Sequence, residues 1–210
     1  MKTLSTHCLA LALAACLCSW PAGAQKSATD AQRPNTPEDV ARIRALLARQ
    51  KEHDILGQLA GTWEGTLQVR GRGNPPREMP SPATMEIRWI LDNFFLESED
   101  TFQPGGQTTI RSRSVYGYNP HKKHFYRNVF QAGDPREYLA TGTWNEATRT
   151  LTFTGPENNV ITGDEFRRRD TFRLIGEDQI AYELAYLFQD GSELQAVQGT
   201  YHRKDGKIAH

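Results

Sequence analysis

From position 61 to the C-terminus, turn-forming clusters punctuate the chain at short, nearly regular intervals. They fall at Asp92-Asn93, Pro104-Gly105-Gly106, Asn119-Pro120, Gly133-Asp134-Pro135, Asn145-Glu146, Pro156 to Asn159, Gly176-Glu177-Asp178 and Asp190-Gly191, most of them about 11 to 16 residues apart. Glycine supplies positive φ, proline presets the first turn angle, and Asn or Asp side chains bond their own backbone. Between the clusters lie runs rich in Thr, Val, Ile, Phe and Tyr, which suit a pleated, half-buried surface. These strand-like runs are Gly61 to Val69, Thr84 to Leu91, Phe94 to Phe102, Thr108 to Tyr118, His124 to Gln131, Tyr138 to Trp144, Thr150 to Thr154, Glu165 to Ile175, Gln179 to Phe188 and Glu193 to Arg203. Gly71 to Pro82, with two glycines and four prolines, reads as a loop. About ten long strands with tight links predict an all-β fold, an antiparallel up-and-down barrel rather than a Greek-key sandwich. An open sheet of that size would twist strongly and expose two edges, so closure is the physical expectation. A barrel of about eight to ten strands is wide enough to hold one small ligand.

The first strand opens on Leu59-Ala60-Gly61-Thr62-Trp63-Glu64-Gly65. Its glycines allow close backbone approach, and its indole is large enough to plug one end of a barrel. Before it, Thr36-Pro37-Glu38-Asp39 is a helix start: a capping threonine, a proline suited to the first helical position, and two acids in the positive first turn. Val40, Ile43, Leu46 and Leu47 recur at helical spacing, and Gly57 is a stop. One N-terminal α-helix over 36–57 is therefore predicted, either lidding or flanking a barrel domain over 58–205, with a short tail at 206–210. The span 25–35 is polar and reads as a flexible spacer.

Residues 1–24 have the form of a signal peptide: Lys2, a mostly apolar run from Leu4 to Trp20, then Pro21-Ala22-Gly23-Ala24 before Gln25. A second reading shares this stretch. Leu13-Ala14-Ala15-Cys16 fits a lipobox, in which Cys16 would be lipidated and the protein tethered to an inner or outer membrane. Either way the chain is expected to be exported, to the periplasm or beyond. All three cysteines (Cys8, Cys16 and Cys18) lie in this leader. The remaining 186 residues thus hold no disulfide, thiolate metal site or cysteine nucleophile. Without Lys2, 24 basic residues face 25 acidic ones, so no basic field favours nucleic acid or anionic lipid. Membrane contact is expected only through a lipid at Cys16.

Gly61-Thr62-Trp63 at the first strand and Tyr201-His202-Arg203 at the last resemble the calycin superfamily, the lipocalins and their relatives. That resemblance implies that Trp63 and Arg203 close one mouth of the barrel. A guanidinium over an indole face contributes ~1 kcal/mol or more when partly buried. The span from about His53 to Lys204 resembles domain-of-unknown-function family 1579. The resemblance rests on Leu59 to Gly65, on Arg88 followed by Phe95-Leu96-Glu97, on Tyr116-Gly117-Tyr118-Asn119-Pro120, and on Tyr201 with Arg203. Nitrobindin-like haem barrels share the Gly-x-Trp-x-Gly start, which makes haem chemistry the rival expectation.

The chain has no Gly-x-Ser-x-Gly elbow, no His-Glu-x-x-His zinc helix and no phosphate-cradling glycine loop. His121 and His124 bracket Lys122 and Lys123, whose charges oppose cation binding, so no metal site is assigned. His202, inside the last strand-like run, is the only haem-ligand candidate. If Arg203 turns inward to meet Trp63, however, His202 must point out. Charged residues on strands are more informative, because a charge inside a barrel must pair, bind water or bind a ligand. Arg88 lies in an apolar run, Glu97 with Glu99 and Arg111 with Arg113 share faces, and Arg167-Arg168-Arg169-Asp170 puts charge on both faces. Structural Arg–Glu pairs and solvated outer faces account for much of this pattern. As a ligand site the sequence offers Arg88, Glu97, Arg111, Arg113, Tyr116, Arg169, Tyr182 and Tyr186, with Leu184 and Phe188 on an apolar wall. The expected function is a non-catalytic binding module for one small hydrophobic or amphipathic ligand, without a cofactor. The alternatives are a haem barrel and a solid-core envelope interaction protein.

Overall fold

Alternation governs most of the strands. In the computed structural model, which describes residues 36–71, 76–106 and 108–204, Ser81, Ala83, Met85 and Ile87 are buried while Pro82, Thr84, Glu86 and Arg88 are exposed. Tyr138, Ala140 and Gly142 repeat the pattern against Glu137, Leu139 and Thr141. A period of two buries one face of each strand, and ten such strands enclose one core. They are β1 (Gly61–Arg70), β2 (Glu78–Ile90), β3 (Phe95–Phe102), β4 (Ile110–Asn119), β5 (His124–Gln131), β6 (Asp134–Asn145), β7 (Thr150–Asn158), β8 (Glu165–Ile175), β9 (Gln179–Leu187) and β10 (Glu193–Arg203). Each pairs antiparallel with its sequence neighbours and β10 returns to β1, so the sheet closes as the predicted up-and-down barrel. The leader with Cys16, the 25–35 spacer and the 206–210 tail lie outside the described residues.

Two local readings are corrected. β2 begins at Glu78, inside the stretch read as a loop. Pro80 and Pro82 pair with Gln68 and Thr66 of β1, whereas pairing of β2 with β3 starts only at Ala83 and Phe102. The Pro82 carbonyl faces the β3 side, where it accepts Gln103 N–H at 3.1 Å, so the missing proline N–H groups face an overhang and cost no ladder bond. The β5–β6 turn is also shorter than read. Gln131 pairs with Asp134, leaving Ala132-Gly133 as a two-residue turn with Gly133 at φ 81°, and Pro135 belongs to β6.

The 36–57 helix is broken into α1 (Pro37–Leu47) and α2 (Lys51–Gly57). At the start of α1 the Thr36 hydroxyl accepts Asp39 N–H at 3.1 Å, as a helix cap should. The break follows from Gln50. Its side chain donates to Ala45 O at 2.7 Å and Ala48 O at 2.9 Å, and its N–H donates to His53 Nδ1 at 2.9 Å. No residue of α1 is buried, whereas α2 buries His53 and Leu56. α2 packs against β3 and β4 and covers the end of the barrel where β1, β3, β5, β7 and β9 begin. The opposite end, formed where β2, β4, β6, β8 and β10 begin, is the mouth.

Candidate functional site

The α2 end is closed by the expected pair. Trp63 and Arg203 face each other in register, with the guanidinium carbon 4.0 Å from the indole centroid. Arg203 donates to Ala60 O at 2.7 Å and Glu177 O at 3.2 Å, and Trp63 Nε1 donates to Leu59 O at 2.8 Å. Both glycines of the Gly-x-Trp-x-Gly element are explained here. A Cβ on Gly61 would stand 2.1 Å from Arg203 Nη1, and one on Gly65 would stand 2.2 Å from Thr200 O. His202 is exposed on the outer face, as alternation with Arg203 requires.

Beyond the cork the interior is aromatic. Tyr116, Phe153 and Phe172 meet edge-on with centroids 5.6 to 6.3 Å apart, and Tyr182 lies 5.0 Å from Phe172. The interior then turns polar toward the mouth. Asp170 of β8 is fully buried and takes Arg168 at 2.8 and 2.9 Å, Tyr182 Oη–H at 2.7 Å, and Arg127 Nη1 of β5 at 2.9 Å. Burial would raise its pKa, but Arg168 and then Arg127 overcome this and hold it at about 2. Arg127 also donates to Ser114 Oγ at 3.1 Å and lies over the rings of Tyr116 and Phe172. Arg168 covers the Tyr138 ring at 4.6 Å and lies 3.9 Å from Glu157, which lies 3.9 Å from Arg136, itself bonded to Asp134 at 2.9 Å. An alternating string of charges thus runs from the mouth to the waist of the barrel.

The string ends in groups that are not fully engaged. Asp100 Oδ2 accepts from Ser98 at 3.1 Å and Ser112 at 3.4 Å, while its Oδ1 is buried with no hydrogen-bond partner among the described residues. The same holds for Tyr116 Oη and Arg127 Nε. These three atoms come from β3, β4 and β5, which are adjacent in the barrel. Burial pushes the Asp100 carboxyl above its usual range against the pull of Arg127, and it likewise raises the Tyr116 and Tyr201 phenols. The wall here carries small side chains: Ser81, Ser98 and Ser114 are all fully buried. Leu67, Val129, Leu184 and Val197 give the mouth half an apolar lining.

The sequence candidates divide by face. Tyr116, Tyr182 and Tyr186 point inward, Tyr186 against Phe166 at 4.9 Å, and Leu184 is buried beside them. Arg88, Glu97, Arg111, Arg113 and Arg169 face outward. Arg88 bonds Glu97 at 2.7 Å, Arg113 pairs with Glu99 and lies 3.6 Å from Glu97, Arg169 pairs with Glu193, and Arg111 is exposed. Phe188 lies past the end of β9 and is exposed. Besides Arg203, the inward cations among the described residues include Arg127, Arg136 and Arg168, and the inward carboxylates include Asp100, Asp134, Glu157 and Asp170; sequence reasoning missed these roles. Parity was the available signal. Arg127 shares its face with Phe125 and Val129, and Arg168 and Asp170 share theirs with Phe172 and Leu174.

A family model described as "Protein of unknown function (DUF1579)" matches residues 48–203. Among solved structures, one described as "Structure of EF1p2_mFAP2b bound to DFHBI" is similar at 10% identity and a TM-score of 0.40, over 72% of this chain and 98% of that one. No curated protein matches the sequence.

Proposed function

The chain belongs to the family described as Protein of unknown function (DUF1579), and from its interior we propose a non-catalytic binding module for one small amphipathic molecule. The supporting observation is the convergence of Arg127 Nε, Tyr116 Oη and Asp100 Oδ1, all buried and unpartnered among the described residues. A buried polar group left unsatisfied costs ~1–3 kcal/mol, so a built interior rarely keeps three together without an occupant to bond them. Arg127 offers an N–H and Tyr116 an O–H, and Asp100, whose pKa burial raises, adds a second O–H when it is protonated. Three donors suit an oxygen acceptor at the head of the ligand, and Leu67, Val129, Leu184 and Val197 suit its apolar body. We further propose export, on the strength of the 1–24 leader, with lipid attachment at Cys16 as the alternative processing.

Tyr116→Phe tests the reading without threatening the fold. It deletes an unpartnered hydroxyl and leaves the ring contacts in place, so thermal stability should hold or rise. Binding of decanoate, followed by calorimetry and native mass spectrometry, should weaken about tenfold through loss of one hydrogen bond to a charged group. Decanoate bound equally by both proteins would place the ligand elsewhere. If native spectra of exported protein show no adduct, and no straight-chain carboxylate, alcohol or amide shifts its melting, the proposal fails.

A further inference from the structure

At the barrel end covered by α2, outside the interior described above, the helix and the strand ends leave an open cleft of about 500 Å³. Its walls are apolar and flat-sided: Ile55 of α2, Tyr118 of β4, Phe125 of β5 and Trp144 of β6. The Tyr118 and Phe125 rings lie 5.2 Å apart and are tilted by 54° to each other. Two lysines stand at the rim from opposite sides, Lys51 at the start of α2 and Lys123 in the β4–β5 turn. Two carboxylates share the rim, but the aromatic walls engage them. Glu146 accepts the Trp144 indole N–H at 2.6 Å. Glu52 lies close enough to the Tyr118 hydroxyl to add to the rise that burial imposes on that phenol. Neither lysine forms an ion pair among the described residues.

We propose that this cleft is a second binding site, for a planar aromatic molecule bearing one carboxylate or similar anion. Its volume falls within the range of small-molecule sites. The half-buried Tyr118 and Trp144 present ring faces or edges to a flat ligand, with the buried Phe125 behind Tyr118, which favours offset or edge-on contact over a flexible alkyl chain. The sign of the ligand charge follows from which rim groups are free. Glu146 is engaged by the indole N–H and Glu52 lies beside the Tyr118 hydroxyl, whereas the two ammonium groups have no ion-pair partner among the described residues and stand open to an incoming charge. This site is separate from the barrel interior and does not depend on how the interior is read.

The probe is 2-naphthoate, compared with neutral 2-naphthalenemethanol and cationic 2-naphthylmethylamine, each titrated by calorimetry at low salt. Naphthoate should bind tightest, and Lys51→Gln with Lys123→Gln should weaken it roughly tenfold, a few-fold for each exposed charge. Both lysines are exposed, so melting should not change. Thr143 is an exposed residue lining the cleft, and Thr143→Trp should fill it and abolish binding while the barrel stays folded. Tyr116→Phe, which alters the interior, should leave naphthoate affinity unchanged. The proposal is overturned if the amine binds as well as the naphthoate. It is also overturned if none of the three binds below millimolar concentration, or if Tyr116→Phe weakens naphthoate while Thr143→Trp does not.

Discussion

Asp170→Asn is the substitution that tests the interior most severely. The side chain keeps its shape but loses the charge on which Arg127, Arg168 and Tyr182 converge at 2.7 to 2.9 Å. Two magnitudes can be set against each other. The Asp170 pKa falls from 3.8 to about 2 on folding, which at ~1.4 kcal/mol per pH unit amounts to ~2.5 kcal/mol of stability. The amide also turns an N–H₂ toward the guanidinium of Arg168, which only donates, and this adds ~1–3 kcal/mol. Together these give ~4 kcal/mol, within the ~3–5 kcal/mol typical of breaking a buried ion pair by removing one partner. Urea unfolding at pH 7 should show that loss as a lower midpoint with an unchanged slope, and thermal melting should drop by roughly 8–16 °C for a domain of this size. The pH profile supplies an independent check. A depressed carboxyl stabilises above its unfolded pKa, and that stability is lost as pH falls through its folded pKa. The native protein should therefore lose stability between about pH 4 and pH 2 through this group, and the variant should lack that component. A loss under about 1 kcal/mol at neutral pH, or an unaltered acid limb, would refute the ionic arrangement at the barrel waist.

Asp100→Asn should behave in the opposite way. Its folded pKa is raised, so ionisation costs stability as pH climbs past the usual carboxylate range, and the amide variant should equal or exceed the native protein in urea at pH 7. Arg203→Ala removes the lid over Trp63 and the donors to Ala60 O and Glu177 O, a loss of ~2–4 kcal/mol that unfolding and a red-shifted indole emission should both report. Gly65→Ala forces a methyl to within 2.2 Å of Thr200 O and should cost ~1–3 kcal/mol by loosening the β1–β10 seam, visible as faster amide exchange along both strands. Arg88→Ala breaks only an outer-face pair with Glu97 and should change stability by less than about 1 kcal/mol in the same assay.

Turn chemistry and a period of two carried most of the fold into the sequence. His124–Gln131, Glu165–Ile175 and Glu193–Arg203 begin and end where their composition says they should. Failures arose where a tertiary neighbour relaxed a local rule. Pro80 and Pro82 forbid a central strand, yet they are harmless where β2 overhangs β3. Nothing in Ala48-Arg49-Gln50 signals a helix break by composition; the Gln50 side chain makes one by bonding the Ala45 and Ala48 carbonyls. The site was half legible. Parity puts Arg88 outside with Glu86 and opposite Met85 and Ile87, but the apolar Ile90 and Leu91 that follow disguise the alternation. Strict parity would have chosen Arg168 over Arg169 and added Arg127. No local pattern could have joined Arg127 to Asp170, because that pair exists only once the barrel brings β5 and β8 to one interior.

The uneven distribution of buried charge along the barrel is itself an argument for function. The half next to α2 is closed by Leu56, Leu59, Trp63, Phe153 and Phe172, all nearly inaccessible, and its buried cation, Arg203, is spent on backbone carbonyls that would otherwise go unbonded. That half is what a barrel selected for stability should contain. The mouth half instead carries Arg127, Arg168, Asp170 and Glu157, where well-packed apolar side chains would often be as stable or more stable. A buried string of that kind is weak support for the fold, and it supports the binding role proposed above. Its inner end is also where Arg127, Tyr116 and Asp100 each keep an atom with no partner among the described residues. If the string were only structural, its terminal groups would be the first to find partners, since Ser98, Ser112 and Ser114 already stand among them. They hold Asp100 and Arg127 in place while Arg127 Nε, Tyr116 Oη and Asp100 Oδ1 keep no partner among the described residues, the arrangement on which the proposed site rests.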